Sequence, residues 1–315
     1  MRTPDDHSFV FIGGLHRSGT TLLFRILRDY PSISGFRFPH GAEREHEGQH
    51  LQTVYPAGKA HGGPGYFGLN PDAHFTETTS LATDKNALRL FEEWSAHWDL
   101  SKPFLLEKSP PNLVMTRFLQ ELFPNSFFLV MVRHPIPVSL ATIKWMGWPK
   151  YVVSHDEAGE NYTVRSAGED DWMLSWQSEH LHFESTIYTL FRNWKAAHET
   201  FVADSEYLRH VLALRYEDLV SHPGSTLLSI EQFLGLPVSE ARAFPTIHDH
   251  NARYFAEWET RKLNAGFRRL LQDEFGEVLS AFGYNISGSH PSVVEWDRST
   301  HFGASEPRVE SPSKS

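Results

Sequence analysis

Four short apolar runs punctuate the chain: Phe9–Ile12, Phe104–Leu106, Phe127–Val132 and Val211–Leu214. Runs this short, rich in Val, Ile, Leu and Phe and bounded by glycine or polar residues, predict buried strands. Between them, apolar positions recur every three or four residues. Leu22, Leu23, Ile26 and Leu27 predict a helix that stops at Tyr30-Pro31, and Leu88, Leu90, Phe91 and Trp94 predict another over 83–98. The same spacing predicts helices over Leu113–Phe123, His180–Asp204, Ser225–Leu234 and Thr260–Phe282. Pro135 and Pro137 open one more, with Val138, Ala141 and Ile143 as its inner face. Strands alternating with helices imply an α/β fold, a three-layer arrangement of a mostly parallel central sheet flanked by helices.

Two stretches break the pattern. Residues 31–80, rich in Gly, His, Pro and Glu, are expected to form a long loop with one or two short helices. Residues 147–178 are polar and irregular but carry Trp148, Tyr151, Tyr162, Trp172 and Trp176. Loops of such length usually serve a function or are disordered. Beyond Ser287 the chain turns to Ser, Pro and Glu, the composition of a flexible tail. The expected organisation is one domain over 1–286, with insertions at about 31–80 and 147–178, and a tail over 287–315; no internal repeat is visible.

Composition narrows the function. The chain has 315 residues, 29 Lys and Arg against 39 Asp and Glu, and a formal charge of −10. That balance argues against a nucleic-acid partner, which needs a basic face. A polyanionic small molecule remains open if a few cations converge. The absence of cysteine excludes disulfides, cysteine–zinc sites and thiol nucleophiles. No apolar run approaches the ~18–20 residues of a membrane span, and the N-terminus lacks the pattern of a signal peptide. A soluble, cytoplasmic enzyme is expected, with no stable membrane insertion.

In open parallel sheets ligands bind at the carboxyl ends of the strands. Chemistry-bearing residues follow each of the first three predicted strands: the loop at 13–19, Lys108-Ser109 and Arg133-His134. Gly14 to Gly19 has the G-x-x-x-x-G spacing of a phosphate-cradling loop at a helix N-terminus. The lysine that would complete a nucleoside-triphosphatase loop is replaced by Thr20-Thr21, and the cation sits inside the loop at Arg17, beside Ser18. A guanidinium suits bidentate contact with phosphate or sulfate. The plainer alternative is a helix start capped by Ser18 with Arg17 solvated.

HRSGTTLL (residues 16–23) resembles the phosphosulfate loop of the sulfotransferase superfamily, which uses 3′-phosphoadenosine-5′-phosphosulfate (PAPS) as co-substrate. FLVMVRHPIPVSLA (128–141) is similar to its second signature, and LRYEDLVSHP (214–223) to a third segment. LLEKSPPNLVMTRFLQELFPNSFFLVMVRHP (105–135) is similar to the tyrosylprotein-type and related branch of the superfamily. The resemblance spans most of 9–235. It implies that His16, Arg17, Ser18, Gly19, Thr20 and Thr21 cradle the phosphosulfate, and that Lys108 contacts it. It also implies that Arg133 and Tyr216 lie at the 3′-phosphate. Two departures stand out. The family serine eight positions after the arginine is Ala141 here, leaving Ser139 or Thr142 to supply the hydroxyl. The Arg-Lys-Gly ending of the cytosolic branch has no clear counterpart beyond Arg253, or Arg261 with Lys262.

The implied reaction is in-line transfer of the sulfuryl group to a hydroxyl or amine, giving adenosine 3′,5′-bisphosphate, with no metal required. The protein would position the reactants and stabilise charge. A general base is also needed. The loop after the first helix offers Glu43, Glu45, His46, Glu47 and His50, with EGQHLQ (47–52) resembling the bacterial-type branch and Glu47 the leading candidate. His134 is expected to serve structure. The acceptor is expected to be a small molecule, a lipid or a sugar, with aromatic residues between 145 and 176, together with Trp94 and Trp98, as candidate lining. A homodimer is left open.

Two rival readings compete. His46-Glu47-Gly48-Gln49-His50 matches the zinc-hydrolase pattern H-E-x-x-H, although Gly48 weakens the helix it needs and Pro56 stands where a third ligand would fall. A P-loop kinase shares the strand–loop–helix start but needs the missing lysine and magnesium.

Overall fold

The computed structural model describes residues 3–37, 47–173, 178–237, 247–261, 263–286 and 292–293. Its centre is a five-stranded sheet in the order β2-β3-β1-β4-β7, with β1 Ser8–Gly14, β2 Ile33–Gly35, β3 Phe104–Lys108, β4 Ser126–Val132 and β7 Val211–Arg215. Every pairing in it is parallel. A parallel sheet must be covered on both faces, which is why its strands read as continuous apolar runs. Val10, Phe11, Ile12, Leu105, Leu106 and Leu129 are all fully buried.

The helices α1 (Thr20–Leu27), α2 (Asp84–Ser95), α3 (Thr116–Leu122), α4 (Pro135–Thr142) and α5 (Glu179–Ser205) follow the sequence reading closely. So does α7 (Pro223–Leu234), while the short α6 (Tyr216–Ser221) before it is a helix that the apolar spacing does not predict. The helix expected over 113–123 is preceded instead by a 3-10 turn at Pro110–Val114, because two successive prolines prevent an α-helical start upstream. The helical region expected over 260–282 is α9 (Ala265–Ala281), which starts where the Asn264 side chain caps it; α8 (Asn251–Thr260), ahead of it, is a helix that the spacing does not predict.

The irregular stretches hold more order than the sequence suggested. Five 3-10 turns lie between Gly48 and Ala73, and residues 147–178 contain an antiparallel hairpin, β5 (Tyr151–His155) with β6 (Tyr162–Ser166). Past residue 287 only Ser292–Val293 is described, as a short strand against Tyr284–Asn285. The rest of the expected tail lies outside the described residues. Among those described, no helix is long and apolar enough to cross a membrane.

Sheet order determines where chemistry can gather. β1 lies between β3 and β4, so the chain leaves it toward one side first and the other side later, opening a crevice at its carboxyl end. The register aligns those ends: Ile12 is opposite Lys108, Gly14 opposite Met131, and Val132 opposite Arg215.

Candidate active site

The turn from β1 into α1 is shaped by close approaches. At Gly13 a side chain would place its Cβ 2.6 Å from the backbone nitrogen of Leu113. Gly19, at φ +101°, would bring a Cβ to 2.6 Å from the Tyr216 ring. Arg17 is the one described non-glycine residue with positive φ, at 70°. Such strain is concentrated at functional sites, and here it turns Arg17 outward while the loop closes over β1. Gly19 precedes α1 without a capping side chain, leaving the first backbone N–H groups of the helix free of intrahelical acceptors. Those donors and the positive end of the helix dipole face a cleft of 440 Å³.

His16, Arg17, Gly19, Thr20, Thr21, Glu47, Arg133 and Tyr216 all line this cleft. Ser18 does not: its hydroxyl turns inward and donates to the Leu15 carbonyl at 2.6 Å, holding the loop's shape. The Arg17 guanidinium rests 4.8 Å from the centre of the Trp145 ring at the cleft mouth. Trp145, one of the aromatic residues expected to line the acceptor pocket, lines this cleft instead, and His248 and His250 are wall residues that sequence reasoning missed. The signal available for the two histidines was the run His248-Asp249-His250, not distinctive by itself.

At one end of the cleft Arg133 is held from every side. Its Nε donates to Asn251 at 2.8 Å and its Nη1 to the Arg17 carbonyl at 2.7 Å. The guanidinium stacks 4.1 Å from the centre of the Tyr216 ring. The indole of Trp194 fixes the Arg133 carbonyl at 3.0 Å. Nη2 is buried and has no partner. Burial lowers the pKa of Arg133, yet a guanidinium stays charged in a protein. A buried, charged donor left unpaired beside a cleft is costly unless an anion completes it. Beside it, Glu217 accepts from the His134 backbone and Asn251 and is raised above the carboxylate range by burial. His134, held near pKa 3 by burial, caps α4 through Nδ1 and packs edge-on against Phe255 and Tyr284.

At the other end, Lys108 and Glu47 meet in a buried ion pair at 2.8 Å. The second oxygen of Glu47 accepts from Gln49 Nε2 and lies 3.8 Å from His50 Nε2. His16 stands next to them, lowered to a pKa of about 4, chiefly by burial. Its Nδ1 is buried without a partner, and its ring meets Phe67 edge-on at 5.7 Å.

Several sequence candidates stand elsewhere. Ser139 and Thr142 are buried in α4 with unpartnered hydroxyls and do not line the cleft. Arg253 donates to Tyr254, and Arg261 pairs with Glu257 on the surface. His46, Glu45, Glu43 and Lys262 lie outside the described residues. The zinc pattern lacks its helix: Glu47 is extended and Gly48–His50 is one 3-10 turn. Glu47 is spent on Lys108 and Gln49, and among the described residues no three His, Asp or Glu side chains gather as a metal set.

A wider cleft of 970 Å³ lies between the turns at 61–71 and the β5–β6 hairpin, with Tyr66, Trp148, Lys150 and Tyr151 on its wall. Tyr66 faces this cleft, while the adjacent Phe67 packs on His16 of the first. Trp94 and Trp98, expected as possible lining, are core residues instead; their indoles bond the Gly48 and Leu106 carbonyls. Tyr162 likewise belongs to the packing, on Glu184 and Phe267.

The sequence profile of the sulfotransferase family matches residues 9–240. Among solved structures, the sulfotransferase domain from the curacin biosynthetic pathway is similar over 85% of this chain and 97% of its own, at 16% identity and a TM-score of 0.42. Sulfotransferase STF9 from Mycobacterium avium is similar over 88% and 77%, at 14% identity and 0.45. The sulfotransferase from Alicyclobacillus acidocaldarius is similar over 86% and 96%, at 15% identity and 0.43. Comparison with curated protein sequences gives no match.

Proposed function

The chain belongs to the sulfotransferase family, and from that premise we propose that its narrower cleft takes PAPS and passes the sulfuryl group to a hydroxyl or amine. The observation that carries this reading is the unpartnered, buried Nη2 of Arg133, stacked on Tyr216 at the far end of an anion-binding loop. One anion site at a helix start fits any nucleotide. A second, enclosed guanidinium site in the same cleft fits a nucleotide phosphorylated twice on its sugar, at 5′ and at 3′. A kinase reading leaves Arg133 without a task and lacks the lysine after the loop.

In this reading the phosphosulfate lies on the free N–H groups of α1, with Thr20 and Thr21 hydroxyls and Arg17 around it. The acceptor oxygen attacks sulfur in line as the bond from sulfur to the 5′-phosphate oxygen breaks. The electron pair departs on that phosphate, where Lys108 and Arg17 stabilise it. The acceptor's proton passes to Glu47. Lys108 and Glu47 are closed on each other at 2.8 Å, so a Lys108 that turns to the departing oxygen also frees the carboxylate to accept the proton. His16, with a pKa of about 4, is neutral at pH 7 and offers the acceptor a second hydrogen-bonding atom. The wider cleft is the seat for the acceptor, with Trp148 on its wall.

Calorimetric titration with adenosine 3′,5′-bisphosphate tests the reading. Saturable binding of one nucleotide per chain is expected. A folded protein that takes up no heat from it has a different function.

A further inference from the structure

Two buried carboxylates at the candidate site take no part in the reaction above: Glu217, which holds the His134 backbone and Asn251, and Glu107. Glu107 is fully buried in β3, opposite Phe11 in the centre of the sheet. Three donors converge on it: the Gly48 backbone N–H at 2.8 Å, the Ser109 hydroxyl at 2.6 Å and the Asn112 amide at 2.5 Å. Burial raises its pKa to about 7, against those hydrogen bonds and the nearby charge of Lys108. Placing an ionisable group there is expensive, and an apolar residue would fill the space at less cost.

What the carboxylate holds explains the cost. The two-residue repeat of a strand puts Glu107 and Ser109 on one side of β3 and Lys108 on the other. The segment 47–49 straddles that strand end. Its backbone is bolted to the Glu107 side, through Gly48 N–H and through Gln49 N–H, which donates to Ser109 Oγ at 3.1 Å. Its Glu47 side chain crosses to Lys108. Gln49 Nε2 in turn steers the second Glu47 oxygen, while the Oε1 of the same amide accepts from Gly58 N–H at 2.7 Å. The direction of the chain is fixed by Glu107. Ionised, the carboxylate accepts; the Ser109 hydroxyl donates to it and accepts from Gln49 N–H. The approach is close: a Cβ on Gly48 would fall 2.6 Å from Glu107. Asn112 also donates to the Ile12 carbonyl at 3.2 Å, joining the same network to the end of β1.

We infer that Glu107 is a positioning residue for the transfer: through Ser109 and Gln49 it sets the Glu47 carboxylate against Lys108. This rests on the roles proposed for Glu47 and Lys108. Its geometric part can be tested without them.

Glu107→Gln puts an amide NH2 where only an acceptor fits, and Ser109→Ala cuts the relay while sparing the carboxylate. Crystal structures of both are the first measurement. The expected result is a Glu47–Lys108 contact opened beyond ~3.5 Å, with the Arg133–Tyr216 stack unmoved. A contact that stays closed in both variants overturns the inference, whatever the protein catalyses. The second measurement is release of adenosine 3′,5′-bisphosphate from PAPS, with 4-nitrophenol or water as acceptor, in a cycle with Glu47→Gln. Glu107→Gln is expected to slow release roughly tenfold to a hundredfold, with bisphosphate affinity retained. In the Glu47→Gln background it should cost little more, because the group it positions is gone. Multiplicative losses would assign Glu107 to the fold alone. Should Glu107→Gln fail to fold, Ser109→Ala carries both arms. Failure of wild-type protein to bind the bisphosphate would instead strike the proposed function.

Discussion

Truncating Arg133 to alanine separates the two phosphates of the proposed nucleotide. The guanidinium spends Nε on Asn251 and Nη1 on the Arg17 carbonyl, leaving buried Nη2 for an anion. A hydrogen bond to a charged group contributes about 1.5–3 kcal/mol. At 1.4 kcal/mol per tenfold, its loss weakens adenosine 3′,5′-bisphosphate by roughly tenfold to 150-fold. Adenosine 5′-phosphate reaches only the loop at 14–21, so its affinity should shift by less than about threefold, the residue of losing the Arg17 carbonyl contact. Competition calorimetry with both nucleotides on wild-type and Arg133→Ala protein reads the difference. Arg133→Lys should fall between, since a point cation keeps charge but not the planar fork stacked on Tyr216. Equal losses for the two nucleotides would refute the assignment of Arg133 to the 3′-phosphate.

The remaining expectations concern catalysis, shape, acceptor and pH. Lys108→Ala should lower kcat by about 10²–10³ with little change in bisphosphate affinity; a loss confined to affinity would move Lys108 from the departing oxygen to ground-state binding. Gly19→Ala meets both φ +101° and the Tyr216 ring, so thermal melting should show a loss of roughly 1–3 kcal/mol. An unchanged Tm would mean that the turn is not constrained as described. Trp148→Ala should raise KM for the acceptor and leave that for PAPS alone; no effect on any tested acceptor would remove the wider cleft from the reaction. His134 and His198 are buried and neutral, with pKa values of about 3 and 4 against 6.5 in the unfolded chain. The unfolded state therefore binds more protons between those limits, and their contribution to stability, full above pH 6.5, is lost as pH falls below it. The slope is about 1.4 kcal/mol per pH unit for each histidine. Glu107, raised to about 7, opposes this by favouring the folded state at acid pH. Denaturant melts from pH 7 to 5 should nonetheless show falling stability, and a rise would contradict the burial of both rings.

The sheet was legible because its strands are buried on both faces, which writes them as unbroken apolar runs at 9–12, 127–132 and 211–214. β2 was not, since three residues after a proline carry no period. The β5–β6 hairpin was hidden because its outer face is solvated and its turn is Asp156 to Asn161 rather than a two-residue glycine turn. Spacing pointed to the loop at 14–19, and the family resemblance pointed to Lys108, Arg133 and Tyr216; the structure gathers all of these around or beside one cleft. Ser18 was read as a hydroxyl donor from its place in the loop and Ser139 as a stand-in for the family serine, but rotamer and helix face turn both away from the cleft. Glu107 escaped notice because a charge in an apolar run reads as the end of a strand. Its partners at Gly48 and Gln49 are about sixty positions away, a pairing that only the folded chain reveals.

The most direct test of the central claim is a crystal structure with adenosine 3′,5′-bisphosphate bound. The expected complex has the 5′-phosphate on the backbone N–H groups at the start of α1, and the 3′-phosphate within hydrogen-bonding distance of Arg133 Nη2, beside Tyr216. A nucleotide in the reverse orientation, or seated in the wider cleft with Arg133 still unpaired, would contradict it.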